Sequence, residues 1–60
     1  MSNRKFANGD RVVGCEEGPA SFRGRAGVVV DFRGRGGYGV NFDDTSATEY
    51  LDSNWLQSEG

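Results

Sequence analysis

Two β-strands joined by a tight turn are predicted from residues 27–43, which read GVVVDFRGRGGYGVNFD. The strands are predicted at Gly27–Phe32 and Tyr38–Asp43, because both segments are rich in the β-branched and aromatic residues that suit a pleated surface. The glycine-rich segment Gly34–Gly37 suits the turn types that match the twist of paired strands. The sequence therefore predicts a β-hairpin in the middle of the chain.

Alternation along the hairpin assigns its side chains to two faces. In the first strand, Val29 and Asp31 are predicted on one face and three apolar residues on the other: Val28, Val30 and Phe32. In the second strand, Gly39 and Asn41 alternate with three larger apolar or aromatic residues: Tyr38, Val40 and Phe42.

Glycine, asparagine and aspartate recur at short intervals in the rest of the chain, so no helix of ordinary length fits. The predicted features, in chain order, are frayed residues 1–5, a strand at Arg11–Cys15 with Val12 facing inward, a strand at Thr48–Leu51, a helical turn capped by Asp52-Ser53-Asn54 and ending at Trp55, a last pairing at Leu56 and Gln57, and frayed residues 58–60. Together with the hairpin they predict an all-β, five-stranded barrel with one short helical turn before the last strand.

The chain has 60 residues, which predicts one domain over residues 1–60 with a core from about residue 6 to about residue 57. There is no histidine and only one cysteine, Cys15, so neither an intramolecular disulfide nor a zinc site is expected. Asp43 and Asp44 are interpreted as turn residues, and no nucleophile has an evident base partner. We therefore expect no catalytic residue, no metal and no cofactor, and we expect that the protein is not an enzyme.

A free thiol, the lack of a long apolar run and the lack of a signal-peptide pattern predict a cytoplasmic protein without membrane contact.

Charge is distributed unevenly along the chain. All seven basic residues lie in the first 35 positions beside four acidic ones, whereas the remaining 25 positions hold five acidic residues and no basic one. This division predicts either a bipolar surface or a fold that interleaves the two halves and mixes their charges.

Three segments resemble a KOW motif: Phe6–Val12, Gly18–Gly24 and Gly27–Val29. That motif, found in ribosomal proteins and NusG-type elongation factors, has a G-D-x-V opening, a Gly-Pro loop with a following Phe, and a glycine before a Val-rich strand. Three further segments are similar to the closing half of SH3-like and Tudor-like barrels: Tyr38–Asp44, Glu49–Leu51 and Trp55-Leu56. The resemblance implies a five-stranded SH3-like barrel. Barrels of this kind bind RNA, DNA, peptides or small ligands.

The Gly9–Val12 start is also similar to that of type II dihydrofolate reductase, a small SH3-like barrel that forms a tetramer around a central active-site pore. That family uses a Val-Gln-Ile-Tyr stretch in a late strand, and this chain has Ala47-Thr48-Glu49-Tyr50-Leu51 there, without the Gln-Ile pair. Reductase activity is not expected. The resemblance does imply a symmetric homo-oligomer that holds a small ligand between subunits.

The tetrapeptide Phe-Arg-Gly-Arg occurs twice, at Phe22–Arg25 and at Phe32–Arg35. Planar guanidinium groups suit phosphate and carboxylate, and flanking glycines let a ligand approach the backbone. The predicted binding residues are therefore Arg23, Arg25, Arg33 and Arg35. The alternative is that these arginines pair with Asp31, Glu16 or Glu17 at ordinary turns.

The aromatic residues are divided between core and surface. Phe32, Phe42 and Trp55 are predicted to be core, as expected for large rings in so small a barrel. Tyr38 and Tyr50 are predicted to be surface ligand-binding residues, because a phenol prefers one solvated end.

These predictions converge on a non-enzymatic module that binds an anionic partner through arginine-bearing loops. The favoured partner is nucleic acid, either RNA or DNA. The alternative is a protein-binding or small-ligand (nucleotide) adaptor that acts as a homo-oligomer, which the net charge of −2 favours because negative charge opposes attraction to nucleic acid.

Overall fold

The computed structural model describes residues 5–45 and 47–59, which contain five antiparallel strands in one sheet. The strands are β1 (Arg11–Gly14), β2 (Ala26–Gly34), β3 (Gly37–Phe42), β4 (Thr48–Asp52) and β5 (Leu56–Ser58). Two 3₁₀ turns occur in these residues, at Ala20–Phe22 and at Ser53–Trp55. The all-β prediction is confirmed, including the helical turn before the last strand, which the Asp52 side chain caps by accepting from the Asn54 N–H. The turn at Ala20–Phe22 was not predicted.

Strand order is β4-β3-β2-β1-β5. The first four strands form a meander, and β5 returns to pair with β1 on the side away from β2. The central strand is β2, which is nine residues long and pairs with β1 on one side and β3 on the other. The sheet curls around one apolar core, as in a small barrel.

A β-bulge in β2 corrects the predicted face assignment. Val29 pairs with Val40 and Asp31 pairs with Gly39, so Val30 has no partner on β3. An extra residue reverses the alternation that follows it. Val29 is consequently the buried valine of this strand, Val30 is exposed, and Phe32 shares the inner face with Val29. The prediction that Val28, Val30 and Phe32 share a face was wrong, because a bulge leaves no signature in simple alternation.

The core consists of eight buried hydrophobic residues: Phe6, Val12, Val29, Tyr38, Val40, Phe42, Leu51 and Leu56. The inward orientation of Val12 and the core position of Phe42 are confirmed. Phe32 and Trp55, also predicted to be core, are partly buried and pack against this cluster together with Phe22.

The surface prediction for Tyr38 was wrong. Only 1% of Tyr38 is exposed, and its ring packs edge-on against Phe6. Its phenol oxygen accepts from two backbone N–H groups, those of Lys5 at 2.7 Å and Phe6 at 3.1 Å. The phenol therefore satisfies its polar end inside the protein rather than in water.

The same contacts change the prediction for the chain ends. Lys5 is tied to Tyr38, Ser58 belongs to β5, and the Glu59 N–H donates to the Arg11 carbonyl, so the frayed ends predicted at residues 5, 58 and 59 are wrong. The remainder of that prediction, residues 1–4 and residue 60, lies outside the described residues. Along residues 5–45 and 47–59 there is no helix long and apolar enough to cross a membrane.

Candidate functional site

The two Phe-Arg-Gly-Arg segments lie at opposite ends of β2. Phe22–Arg25 immediately precedes the strand, and Phe32–Arg35 includes its last residues and continues into the turn before β3. The eight steps between its nine residues, at about 3.3 Å each, extend over as much as about 26 Å. The four predicted arginines are therefore divided between two sites and do not surround one small anion.

Arg25 is held in place by the fold. Its guanidinium donates to both carboxylate oxygens of Asp44, at 3.1 and 2.8 Å, and to the Ser21 carbonyl at 3.2 Å. It also lies over the rings of Phe42 and Phe22, which stack on each other at 5.5 Å. Only 27% of the Arg25 side chain is exposed. Arg25 therefore joins the loop before β2 to the turn after β3, and three of its five N–H donors are already used.

Arg23 lies beside it but is less restrained. Its Nε donates to the Gly18 carbonyl at 3.3 Å, and the residue is exposed. This bond leaves the Nη groups of Arg23 facing solvent at the Gly18–Gly24 end of the molecule.

The other segment places Arg33 and Arg35 at the tip of the β2–β3 hairpin. The Arg33 guanidinium lies 4.4 Å from the centre of the Tyr50 ring, and its Nε is 3.9 Å from Asp31 Oδ2. The Arg33 side chain is 67% exposed. Arg35 is exposed as well, and within the described part of the chain no ion pair holds it.

Arg35 also has an unusual backbone conformation. Gly34 pairs with Gly37, so Arg35 and Gly36 are the two central residues of the turn, and both have positive φ, 54° and 79°. This is the type I′ pattern, in which asparagine, aspartate and glycine are favoured at the first central position. An arginine there costs about 1–2 kcal/mol of backbone strain relative to an unstrained residue. The fold thus keeps a strained arginine at an exposed tip, and strained residues of this kind concentrate at functional sites.

Tyr50 is exposed to 47%, which confirms its predicted surface position. It pairs with Gly39 across β3 and β4, and its hydroxyl donates to Asp31 Oδ2 on β2 at 2.8 Å. The ring therefore crosses β3 to reach β2. Of the predicted site, the structure brings Arg33 and Tyr50 into contact, with Arg35 two residues further along the same hairpin, and it places Arg23 and Arg25 elsewhere and Tyr38 in the core.

The acidic second half pairs with the basic first half. Arg11 donates to Asp43 through both Nη groups and to Glu59 through Nε at 2.9 Å, and Arg25 holds Asp44. The hydrogen bond from Arg11 lowers the pKa of Asp43, and the one from Arg25 lowers the pKa of Asp44. Three of the five acids in that half are therefore matched by arginines, so the interleaved arrangement is the one the fold adopts. These ion pairs were missed because they join residues 19 to 48 positions apart.

An open groove of about 420 Å³ lies beside Cys15. The Cys15 thiol donates to the Asn54 carbonyl at 3.1 Å, and Lys5, Glu16 and Glu17 line the groove. Within residues 5–45 and 47–59 there is no group of three or more cysteine or acidic side chains placed to hold a metal ion.

No family model, no curated protein and no solved structure matches this chain. The KOW-like and SH3-like resemblances therefore remain predictions from sequence, and the geometry of the chain itself carries the functional argument.

Proposed function

We propose that this protein is a non-enzymatic binding module that captures nucleic acid at the tip of its β2–β3 hairpin, through Arg33, Arg35 and Tyr50. The observation that carries the proposal is an exposed arginine, Arg33, over the exposed Tyr50 ring, with a second exposed arginine two residues away in the same hairpin. Guanidinium donors suit phosphate oxygens, and an arginine stacked on an aromatic ring suits a base, so the site matches the two chemical parts of a nucleotide.

Charge supports this choice of site over the other arginines. Arg11 and Arg25 are neutralised by Asp43, Glu59 and Asp44 at close range. Among the described residues, the one ion pair of Arg33 is the 3.9 Å contact between its Nε and Asp31, so its Nη donors remain open to a phosphate. The net charge of the whole chain is negative, and Asp52 pairs with Gly37 at the hairpin tip, so the exposed guanidinium donors, rather than a net local charge, would hold an anion at short range.

Fluorescence anisotropy with labelled single-stranded RNA, single-stranded DNA and duplex DNA, at low and moderate salt, tests the proposal. The double variant Arg33→Gln/Arg35→Gln is expected to lower affinity at least about tenfold. For single strands it is also expected to reduce the slope of log affinity against log salt by about 1.4, because two positive charges close to the phosphate backbone are lost at about 0.7 each.

The matched control is Arg23→Gln, which replaces an exposed arginine just before the opposite end of β2. With a short oligonucleotide that covers one end of the molecule, this variant is expected to change affinity less than about twofold. An unchanged affinity in the double variant, or an equal loss in the control, would contradict the proposed site.

A self-associating module is the second candidate, and the outer edge of β4, which pairs with no strand among residues 5–45 and 47–59, favours it. β4 is the outermost strand of the sheet next to β3, and Thr48, Glu49 and Tyr50 are all exposed. An open strand edge can pair with a second chain. Sedimentation velocity over a range of concentrations tests this candidate, which predicts a dimer that Tyr50→Ala weakens and the arginine variants leave intact.

A further inference from the structure

The Tyr50 ring lies directly on the backbone of β3 because residue 39 is a glycine. A Cβ at Gly39 would lie 2.9 Å from Tyr50 Cε2, a distance that real Cβ atoms essentially never show, and 3.2 Å from Cζ, which is also tight. Asp31 then holds the far end of the ring through the 2.8 Å hydrogen bond from the phenol. Three neighbouring strands thus fix the orientation of one exposed ring.

Arg33 lies over this fixed ring. Its guanidinium carbon is 4.4 Å from the ring centre, within the range of a cation–π contact, and its Nε faces Asp31 at 3.9 Å. Two-thirds of the Arg33 side chain nevertheless remains exposed. A planar cation that is supported from below and open to solvent is itself a surface on which a second planar group can stack.

We propose that the ligand is a single-stranded nucleic acid, one of whose bases stacks on the Arg33 guanidinium, so that Arg33 is sandwiched between that base and Tyr50. Arg35, two residues further along the hairpin, binds an adjacent phosphate. Asp31, Gly39 and Tyr50 act as positioning residues, because Asp31 and Gly39 fix the Tyr50 ring on which the guanidinium rests. This inference rests on the proposed function and specifies its ligand.

The single strand follows from the stacking geometry. In a duplex both faces of each internal base are covered by neighbouring base pairs, whereas an unpaired base can turn out and stack on a protein surface. RNA and DNA single strands share this chemistry, so parallel RNA and DNA oligonucleotides in the assay identify which one is preferred.

The experiment compares an intact oligonucleotide with an abasic one of the same length, which carries the same phosphates. The native protein is expected to bind the abasic strand about tenfold more weakly, or about 1.4 kcal/mol, within the range of one base stacked on a side chain. Arg33→Lys is expected to abolish this difference while keeping the salt dependence, because lysine keeps the charge but has no planar group. The matched control Arg35→Lys is expected to keep the tenfold difference.

Two variants at Tyr50 test the support beneath Arg33. Tyr50→Phe keeps the ring and is expected to keep most of the preference for intact strands. Tyr50→Ala removes the surface on which Arg33 lies and is expected to lower that preference to about threefold or less. Circular dichroism and urea denaturation of each variant show whether it is folded under the assay conditions.

The possible outcomes separate the inference from the proposed function. Equal, salt-dependent binding of intact and abasic strands by the native protein would overturn the stacked base and leave the nucleic-acid module standing. Retention of the tenfold difference by Arg33→Lys would overturn the role of Arg33. Absence of binding to any strand at low salt would overturn the proposed function, and this inference with it.

Discussion

The two Phe-Arg-Gly-Arg segments are identical in sequence, and the fold uses them in opposite ways. At Phe22–Arg25 the last arginine is enclosed by Asp44 and two phenylalanine rings, with 27% of its side chain exposed. At Phe32–Arg35 both arginines project from a hairpin tip, and Arg33 keeps 67% exposure. One segment joins two parts of the chain, and the other presents charge to solvent.

Local conformation does not explain all of this difference. The glycine in each segment, Gly24 and Gly34, has the same φ of 74°. The two segments differ in what surrounds them. The first lies against β1 and against the turn after β3, whereas the second forms the end of the β2–β3 hairpin, where β4 and Ser53 contact Gly37 and Gly36 on one side. A short motif therefore indicates which chemistry is available, and its neighbours determine whether that chemistry is used internally or offered to a ligand.

The largest expected effect comes from disturbing the place where the first segment meets β1. In Gly14→Ala the new Cβ would lie 1.8 Å from the Phe22 carbonyl oxygen, a backbone atom that cannot move without displacing the whole segment. We expect a loss of about 3 kcal/mol or more in the free energy of unfolding, enough to unfold much of a domain of this size. Urea denaturation followed by Trp55 fluorescence measures it.

The matched control for that variant is Gly24→Ala, where nothing lies within 4 Å of the new Cβ and only the positive φ is unfavourable. Its cost is expected to be about 1–2 kcal/mol. If Gly14→Ala is no worse than this control, the first segment does not depend on close contact with β1.

Equivalent changes in the two segments should have unequal effects on stability. Arg25→Gln removes a half-buried guanidinium from the Phe22 and Phe42 rings and is expected to cost about 1 kcal/mol. Arg33→Gln removes an exposed side chain and is expected to change stability by less than about 0.5 kcal/mol. Equal urea midpoints for the two variants would refute the contrast between an internal and an exposed arginine.

Replacing the strained arginine should separate stability from binding. Arg35→Asn places at the first turn position a residue that tolerates positive φ, so we expect a gain of about 0.5–1 kcal/mol in stability. The same change removes a charge from the proposed phosphate contact, so oligonucleotide affinity should fall. A variant that is less stable than the native protein would show that Arg35 makes contacts that offset its backbone strain.

Lowering the pH should weaken the ion pairs that join the basic first part of the chain to the acidic second part. Hydrogen bonds from Arg11 and Arg25 lower the pKa values of Asp43 and Asp44 below their ordinary 3.8, so near that pH the unfolded chain binds more protons than the folded one. The stabilisation is complete above 3.8 and disappears as the pH falls through the lowered pKa values. Urea midpoints measured from about pH 6 to about pH 3 should decline less steeply in Asp44→Asn than in the native protein. Parallel curves would show that the Arg25–Asp44 pair does not contribute to this dependence.

Much of the fold could be predicted because it depends on local pattern. Strands β3 and β4 and the turn at Ser53–Trp55 were predicted to within a residue at each end, since alternation, glycine spacing and the Asp52 cap are visible in sequence. The bulge at Val30 was missed because alternation does not show where an extra residue is inserted. It reversed the faces in β2 and moved Val29 into the core.

The candidate site was only partly predictable. Arg33, Arg35 and Tyr50 were identified from residue type, and two of them are brought together by pairing of β2 and β4 with β3. The positive φ of Arg35 had a sequence signal, because a two-residue turn with Arg35 and Gly36 at its centre requires positive φ at both positions. The burial of Tyr38 had none, since its two hydrogen-bond donors lie 32 and 33 residues away in the chain.

The sequence by itself determined the class of the fold and the available chemistry. The strands are short because glycine-containing turns separate short runs of β-branched and aromatic residues. The chemistry is that of guanidinium groups close in sequence to aromatic rings. Only the tertiary structure decided which arginines are free. A charge is neutralised when a carboxylate lies within hydrogen-bond distance, and the carboxylates that neutralise Arg11 and Arg25 are brought to them by strand pairing between distant segments. In the described part of the chain, the one carboxylate within 4.0 Å of the Arg33 guanidinium is that of Asp31, at 3.9 Å, and an exposed cation remains over Tyr50.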